Sequence, residues 1–169
     1  MAVALTFVLH EGGHWAAGEM LGYDMFLRAN SAGSVSGGYS SELDATIIIA
    51  AGPVVTVLQG LLAFGSVRAW GSAAAFPFLL SSFMMRALAA GISLSKPNDE
   101  ARLSVWFGFG EWAVFGVVLA FLFLLVVLAA RRLAMSWSSI ALGVVAWTVF
   151  ASALILSERY LPAYVPGAA

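Results

Sequence analysis

Three polar side chains lie inside an otherwise apolar stretch near the start of the chain, LTFVLHEGGHWAAGEMLGY, residues 5–23. Residues four apart in a helix lie one turn apart on nearly the same face, so His10 and His14 can offer two imidazoles to one metal ion at about 2.0–2.1 Å. Glu11 is one step of about 100° from His10, which places its carboxylate beside the ion without making it a ligand. The spacing matches the H-E-x-x-H pattern of zinc hydrolases, and both histidines of the chain are used in it.

A catalytic zinc takes three protein ligands and keeps a fourth position for water, so a third ligand must come from elsewhere in the chain. The sequence has no cysteine, which leaves the carboxylates. Asp24, Glu42 and Asp44 lie in or beside a polar loop that could fold back over the histidines. Asp99 follows the third apolar run and, if the runs alternate in direction, emerges on the side toward which His14 points. We expect Asp99 to be the third ligand, and helix capping is the equally open alternative for this residue.

The composition indicates which kind of protein must position these groups. The 169 residues are 62% hydrophobic and 10% charged, far more apolar than an ordinary soluble domain. A mean hydropathy of +0.94 agrees with a membrane protein. The net charge of −1 gives no basic field for nucleic acid, so that class of partner is set aside.

The apolar runs predict an all-α integral membrane protein with about five transmembrane helices, because a bilayer core requires about 20 apolar residues per helix. A polar segment, residues 23–44, predicts a small loop or β-hairpin between the first two helices, and Ser41 is expected to cap the second helix. We expect a catalytic membrane core over residues 1–110 and two further transmembrane helices over residues 111–169. The five predicted spans are 2–21, 45–67, 73–95, 111–130 and 137–156.

Three motifs, taken in order, resemble the site-2 protease family of intramembrane zinc metalloproteases. They are HEGGH at residues 10–14, AGPVVT at residues 51–56 and KPNDE at residues 96–100. The resemblance implies that His10, His14 and Asp99 bind zinc and that Glu11 is the general acid and base. It also implies that the polar segment 23–44 forms a sheet-like element that helps to hold an extended substrate.

The chain departs from the family pattern at two positions. Thr56 stands where the family usually has Asn after Gly-Pro, and Glu100 stands where it usually has Gly after the ligand Asp. In the family, that Asn positions the substrate or stabilises the oxyanion, and a Thr hydroxyl has one donor that could do part of this work. Thr56 and Asn98 are therefore candidate substrate or oxyanion contacts. Ordinary helix packing is the alternative for Thr56.

Two further polar residues lie inside predicted spans, and both are given structural roles. Arg86 is expected to pair with Glu111 or to extend its charged end toward the interface. Gln59 is expected to form hydrogen bonds between helices.

The sequence therefore predicts an intramembrane zinc metalloprotease that hydrolyses a peptide bond in or near a transmembrane segment of another protein. Its expected location is the bacterial cytoplasmic membrane, as a multi-pass protein surrounded by lipid bilayer. Its expected partners are a membrane-protein substrate and either a second copy or another membrane protein. Two alternatives remain open: an intramembrane metal or proton transporter, and an inactive scaffold that resembles the protease.

Overall fold

The computed structural model describes residues 1–166 as six α-helices and one small antiparallel sheet. The helices are α1 (Ala2–Met20), α2 (Glu42–Trp70), α3 (Phe76–Ile92), α4 (Asp99–Trp106), α5 (Ala113–Arg132) and α6 (Trp137–Ser157). The strands are β1 (Met25–Leu27) and β2 (Ala32–Ser34). The last three residues of the predicted C-terminal unit lie outside the described residues.

Four of the helices are long and apolar enough to cross a membrane, which suggests a membrane protein. They are α2, α3 together with the short turn before it, α5 and α6, and they coincide with the last four predicted spans. The helix α1 falls outside this set, because His10, Glu11 and His14 lower the hydropathy of its 19 residues. The helical character of all five predicted spans is confirmed.

The sequence did not predict α4. Instead of continuing to residue 95, α3 ends at Ile92, and the polar segment after it forms the eight-residue helix α4 before α5 begins at Ala113. Asn98 occupies the N-cap position of α4, but its side chain forms no capping bond and donates instead to the carbonyl of Ala89 at 2.7 Å. The Asn98 side chain thus attaches the start of α4 to α3 and does not cap α4.

The segment between α1 and α2 forms a hairpin rather than an unstructured loop. Its two strands pair antiparallel, with Phe26 opposite Gly33. The hairpin leads into α2 through Ser41, whose hydroxyl accepts a hydrogen bond from the Asp44 amide at 3.0 Å. This N-cap was predicted from the sequence and is confirmed.

The helices pack around two apolar clusters. The larger one joins α2, α3 and α5 and includes Val67, Leu79 and Leu122, all fully buried. Gln59 on α2 donates hydrogen bonds to Thr6, to Ser82 and to the Phe78 carbonyl, which confirms its predicted role between helices. The smaller cluster brings α6 against α1 and α3 through Phe7, Met85, Trp147 and Ala151. Packing of α1, α3 and α4 around α2 positions the site described next.

Candidate metal centre

Two imidazoles project from successive turns of α1 into the protein interior. His10 and His14 are both buried, and their Nε2 atoms lie 3.2 Å apart. The backbone of α2 approaches them closely at Gly52, where an added Cβ would lie only 2.2 Å from His14 Nε2. Glycine at this position therefore gives the two rings the space in which they converge.

The carboxylate of Asp99 completes a triangle with the two imidazoles. Asp99 is the first residue of α4, and its Oδ2 lies 3.3 Å from the Nε2 atoms of both His10 and His14. In a tetrahedral site with bonds of about 2.0 Å, neighbouring ligand atoms are about 3.3 Å apart. The three sides of the triangle thus have the length that a small tetrahedral metal ion requires. The cluster could hold such an ion, although two imidazoles and a carboxylate do not select zinc alone.

The outer ring nitrogens of both histidines are engaged by α2. His14 Nδ1 lies 2.7 Å from the Ile48 carbonyl, which can only accept, so Nδ1 carries the proton. His10 Nδ1 lies 3.0 Å from Thr56 Oγ1, and the Thr56 hydroxyl itself donates to the Gly52 carbonyl at 3.1 Å. Each Nε2 is then left with a free electron pair directed into the triangle. Three electron-pair donors at this separation repel one another unless a cation lies between them, so the donor set fits a metal ion.

The third ligand candidate carries a negative charge. Burial raises the pKa of the Asp99 carboxyl, but imidazoles protonated at Nε2 donate to it from His10 and His14, and in that state they hold its pKa well below the usual range. An anionic Asp99 between two neutral imidazoles supplies one negative charge toward a divalent cation.

Glu11 lies beside this triangle without being one of its corners. Its side chain is buried and lines a cleft of about 250 Å³ together with His14 and Asp99. The remaining wall of the cleft comes from the hairpin region, α2 and α4, through Ser31, Ala32, Tyr39, Ile48, Ile49 and Arg102. Burial raises the pKa of the Tyr39 hydroxyl, so this wall residue is neutral at ordinary pH.

The other predicted site residues are not corners of the triangle. Thr56 is buried against His10, so its predicted contact with substrate or an oxyanion stays a prediction. Asp44 accepts a hydrogen bond from Tyr23 at 2.6 Å, Glu42 lines a neighbouring groove, and Asp24 is exposed. Of the four carboxylates considered as third ligand, the structure brings only Asp99 to the histidines, within residues 1–166.

Sequence reasoning missed the ion pair behind the triangle. Arg86 Nη1 on α3 lies 2.7 Å from Glu100 Oε1 on α4, and both side chains are buried. The prediction that Arg86 pairs with Glu111 or extends to the interface is wrong. Arg86 and Glu100 are separated by 14 positions across a helix end, and no helix or strand spacing brings such positions together. The signal available in the sequence was a lone arginine in a span together with a glutamate in the nearest polar segment.

The two outer edges of the hairpin differ. Leu27 exchanges backbone hydrogen bonds of 2.8 Å with Tyr164, and the Met25 amide donates to Glu19 Oε1 at 3.0 Å, so the outer edge of β1 is covered. Pairing alternates along an antiparallel ladder, so the N–H and C=O groups of Ala32 point away from β1. Ala32 is also a wall residue of the cleft that contains Glu11.

No protein-family model, curated protein or solved structure matches this chain. What the site can do must therefore follow from its donor set and its surroundings. Two imidazoles, a carboxylate and a nearby second carboxylate in one cleft are the groups that metal-assisted hydrolysis uses.

Proposed function

We propose that the chain is a multi-pass integral membrane protein in which α1 forms a fifth crossing beside the four more apolar helices. The distribution of side chains on α1 supports this. Leu5, Val8 and Leu9 are each 41–42% exposed, whereas His10 and His14 are buried. A helix that exposes its apolar residues and buries its polar ones suits a hydrocarbon surround and not water.

Within that membrane protein we propose an intramembrane zinc metalloprotease, similar in type to the site-2 proteases. The observation that carries the proposal is the triangle of His10 Nε2, His14 Nε2 and Asp99 Oδ2, with sides of 3.2–3.3 Å, in one cleft with Glu11. Zinc is the metal proposed because it favours tetrahedral sites with nitrogen and oxygen ligands and leaves a position open in catalytic sites.

His10, His14 and Asp99 would hold the ion in this proposal. When bound, zinc supplies Lewis-acid polarisation of a carbonyl and activates water for attack. Glu11 takes the proton from the attacking water and returns it to the amine that leaves, so that water adds across the peptide C–N bond and yields a carboxylic acid and an amine. The Ile48 carbonyl and the Thr56 hydroxyl keep the two imidazoles in the tautomer that presents Nε2.

The proposed substrate is an extended segment of another membrane protein. A helical peptide keeps its carbonyl groups hydrogen-bonded, so the segment must unwind before hydrolysis. Ala32 on β2 offers backbone groups at the wall of the cleft, and an unwound segment could add there as a further strand. The scissile bond would then lie between the hairpin and Glu11.

The first test compares four purified proteins in detergent: wild type, His14→Ala, Asp99→Asn and Glu11→Gln. We expect about one zinc per chain in wild type and in Glu11→Gln, and loss of zinc from the two ligand variants. Wild-type protein without bound metal would overturn the proposal.

The second test uses a single-span membrane reporter with a helix-breaking Gly-Pro pair in its span, co-expressed with each protein. We expect cleavage by wild type and a loss of about 10²-fold or more in Glu11→Gln. Glu19→Gln on the same helix is the matched control, because an amide oxygen can still accept from the Met25 amide. Cleavage that survives in Glu11→Gln would contradict the role of Glu11. Ion flux into proteoliposomes without cleavage would support the transporter alternative instead.

A further inference from the structure

A buried ion pair lies directly behind the proposed metal site. Arg86 is 2% exposed and Glu100 is 0% exposed, and the two side chains meet at 2.7 Å. Removing two charges from solvent has a large desolvation cost, so burial of such a pair does little for stability by itself. Its position in the molecule gives a better account of what it does.

Each member of the pair adjoins a residue of the triangle. Glu100 follows Asp99 directly in the first turn of α4. Arg86 Nη2 lies 3.3 Å from His10 Nε2 and 3.4 Å from His10 Nδ1. Because this nitrogen is nearly equidistant from both ring nitrogens, the guanidinium lies against the imidazole ring and not along one electron pair. The pair therefore connects the helix that carries Asp99 to the ring of His10.

The short helix α4 packs against α2 and α5, and contacts of Asn98 and Glu100 with α3 fix its start. It has eight residues and follows the non-helical segment 96–98, so its own hydrogen bonds do little to fix the position of Asp99. The ion pair attaches the first turn of α4 to the long helix α3. A displacement of Asp99 by 1 Å would change the sides of the triangle beyond the length that suits a metal.

The charges also match the site. Arg86 alone would place a positive charge beside a position meant for a cation, and Glu100 neutralises it at 2.7 Å. We propose that Arg86 and Glu100 form a positioning pair that holds Asp99 and His10 in the geometry of metal ligands, an inference that rests on the proposed metal site. Glu100, which stands where the resembled family usually has Gly, is then part of the site's support.

The test measures Co²⁺ binding to the detergent-purified full chain by visible absorption and by competition with a chelator. The variants are Glu100→Gln, Arg86→Gln and the double variant, with Arg86→Lys as the conservative change. Removing groups that orient metal ligands typically lowers metal affinity 10–100-fold. We expect that loss in both single variants, with an altered absorption spectrum, and a smaller loss in Arg86→Lys.

The double variant keeps the test decisive if a single variant does not fold. Two amides leave no unpaired charge in the interior, so Arg86→Gln with Glu100→Gln should fold. We expect it to bind Co²⁺ at least 10-fold more weakly than wild type. Affinity within about threefold of wild type, with an unchanged spectrum, would overturn the positioning role even if the thermal midpoint falls.

Gln59→Leu is the matched control for general destabilisation, because it removes interhelical hydrogen bonds to Thr6 and Ser82, which are neither triangle nor pair residues. We expect a lower thermal midpoint with unchanged Co²⁺ affinity. The two proposals fail differently. Wild-type protein that binds no metal would overturn the proposed function, whereas wild-type binding that the pair variants leave unaltered would overturn only the role of Arg86 and Glu100.

Discussion

The helices α1 and α5 have similar lengths, yet they use their interiors in opposite ways. The buried residues of α1 include Thr6, His10, Glu11 and His14. The buried residues of α5 are all apolar: Phe115, Leu122, Leu125, Val126, Ala129 and Ala130. Both helices expose large apolar side chains on their outer faces. In a bilayer such an outer face can contact lipid, so the inner face of the helix can serve either packing or chemistry. The inner face of α5 serves packing, and the inner face of α1 carries the site.

The largest expected effect is a loss of metal affinity at the site on α1, caused by a single added methyl group. Gly52→Ala would place a Cβ 2.2 Å from His14 Nε2 and 2.6 Å from His10 Cε1, so the rings could no longer converge. We expect metal affinity to fall by about 100-fold or more, measured by chelator competition on purified protein.

Gly65→Ala on the same helix is its control, because nothing lies within 4 Å of the added Cβ. Replacing an exposed helical glycine should raise stability by about 0.5–1 kcal/mol and leave metal affinity unchanged. Equal loss of metal in both variants would mean that Gly52 acts through the helix in general and not through the histidines.

The second expected effect is a loss of stability when the buried apolar face of α5 is disturbed. Leu122 on α5 is fully buried among α2 and α3, whereas Leu124 is 53% exposed on the outer face. Leu122→Ala should lower the free energy of unfolding by about 2–5 kcal/mol through the cavity it leaves. Leu124→Ala should cost about 1 kcal/mol or less, because lipid or detergent tails can replace the lost contacts.

Reversible unfolding in mixed micelles measures both values, and metal content should stay at the wild-type level in each variant. A cost at Leu124 equal to that at Leu122 would show that the outer face of α5 is packed against protein, which would remove the basis of the comparison.

The smallest expected effect compares two threonines of α2, one that contacts the site and one that does not. Thr56→Val removes the hydroxyl that accepts from His10 Nδ1, with almost no change in volume. We expect a 10–100-fold loss of metal affinity with the fold retained. Thr46→Val is the matched control, since Thr46 also bonds to the carbonyl four residues earlier but is only half-buried and does not contact a histidine. Unchanged affinity in Thr56→Val would leave only a packing role for that hydroxyl.

Most of the helices could be predicted from the sequence because their signals are local. Apolar runs of sufficient length mark α2, α3, α5 and α6, and Ser41 marks the start of α2 through a bond to a residue three positions later. The helix α4 was missed because it has eight residues and is polar overall, so no length or periodicity criterion detects it. Its existence depends on packing against α2 and α5.

The contacts of the site likewise differ in how well the sequence predicts them: those between near positions could be predicted, and those between distant positions could not. His10 and His14 are one helical turn apart, so their convergence follows from spacing alone. The contact of Thr56 with His10 spans 46 positions and that of Arg86 with His10 spans 76, and neither can be read from a local pattern. Asp99 was selected among four carboxylates by its place in the order of crossings, which is a property of topology and not of its neighbours in sequence.

The covered edge of β1 has a consequence for how copies of this chain meet. A strand edge with free N–H and C=O groups can pair with the same edge of another molecule and start aggregation. Tyr164 occupies both groups of Leu27, Glu19 accepts from the Met25 N–H, and Met25 is fully buried, so this edge does not present a free strand to a second hairpin. The edge of β2 lies at the wall of a cleft, where a neighbouring hairpin would have to enter the protein to reach it. The hairpin can therefore keep a strand available for pairing and still resist edge-to-edge self-association.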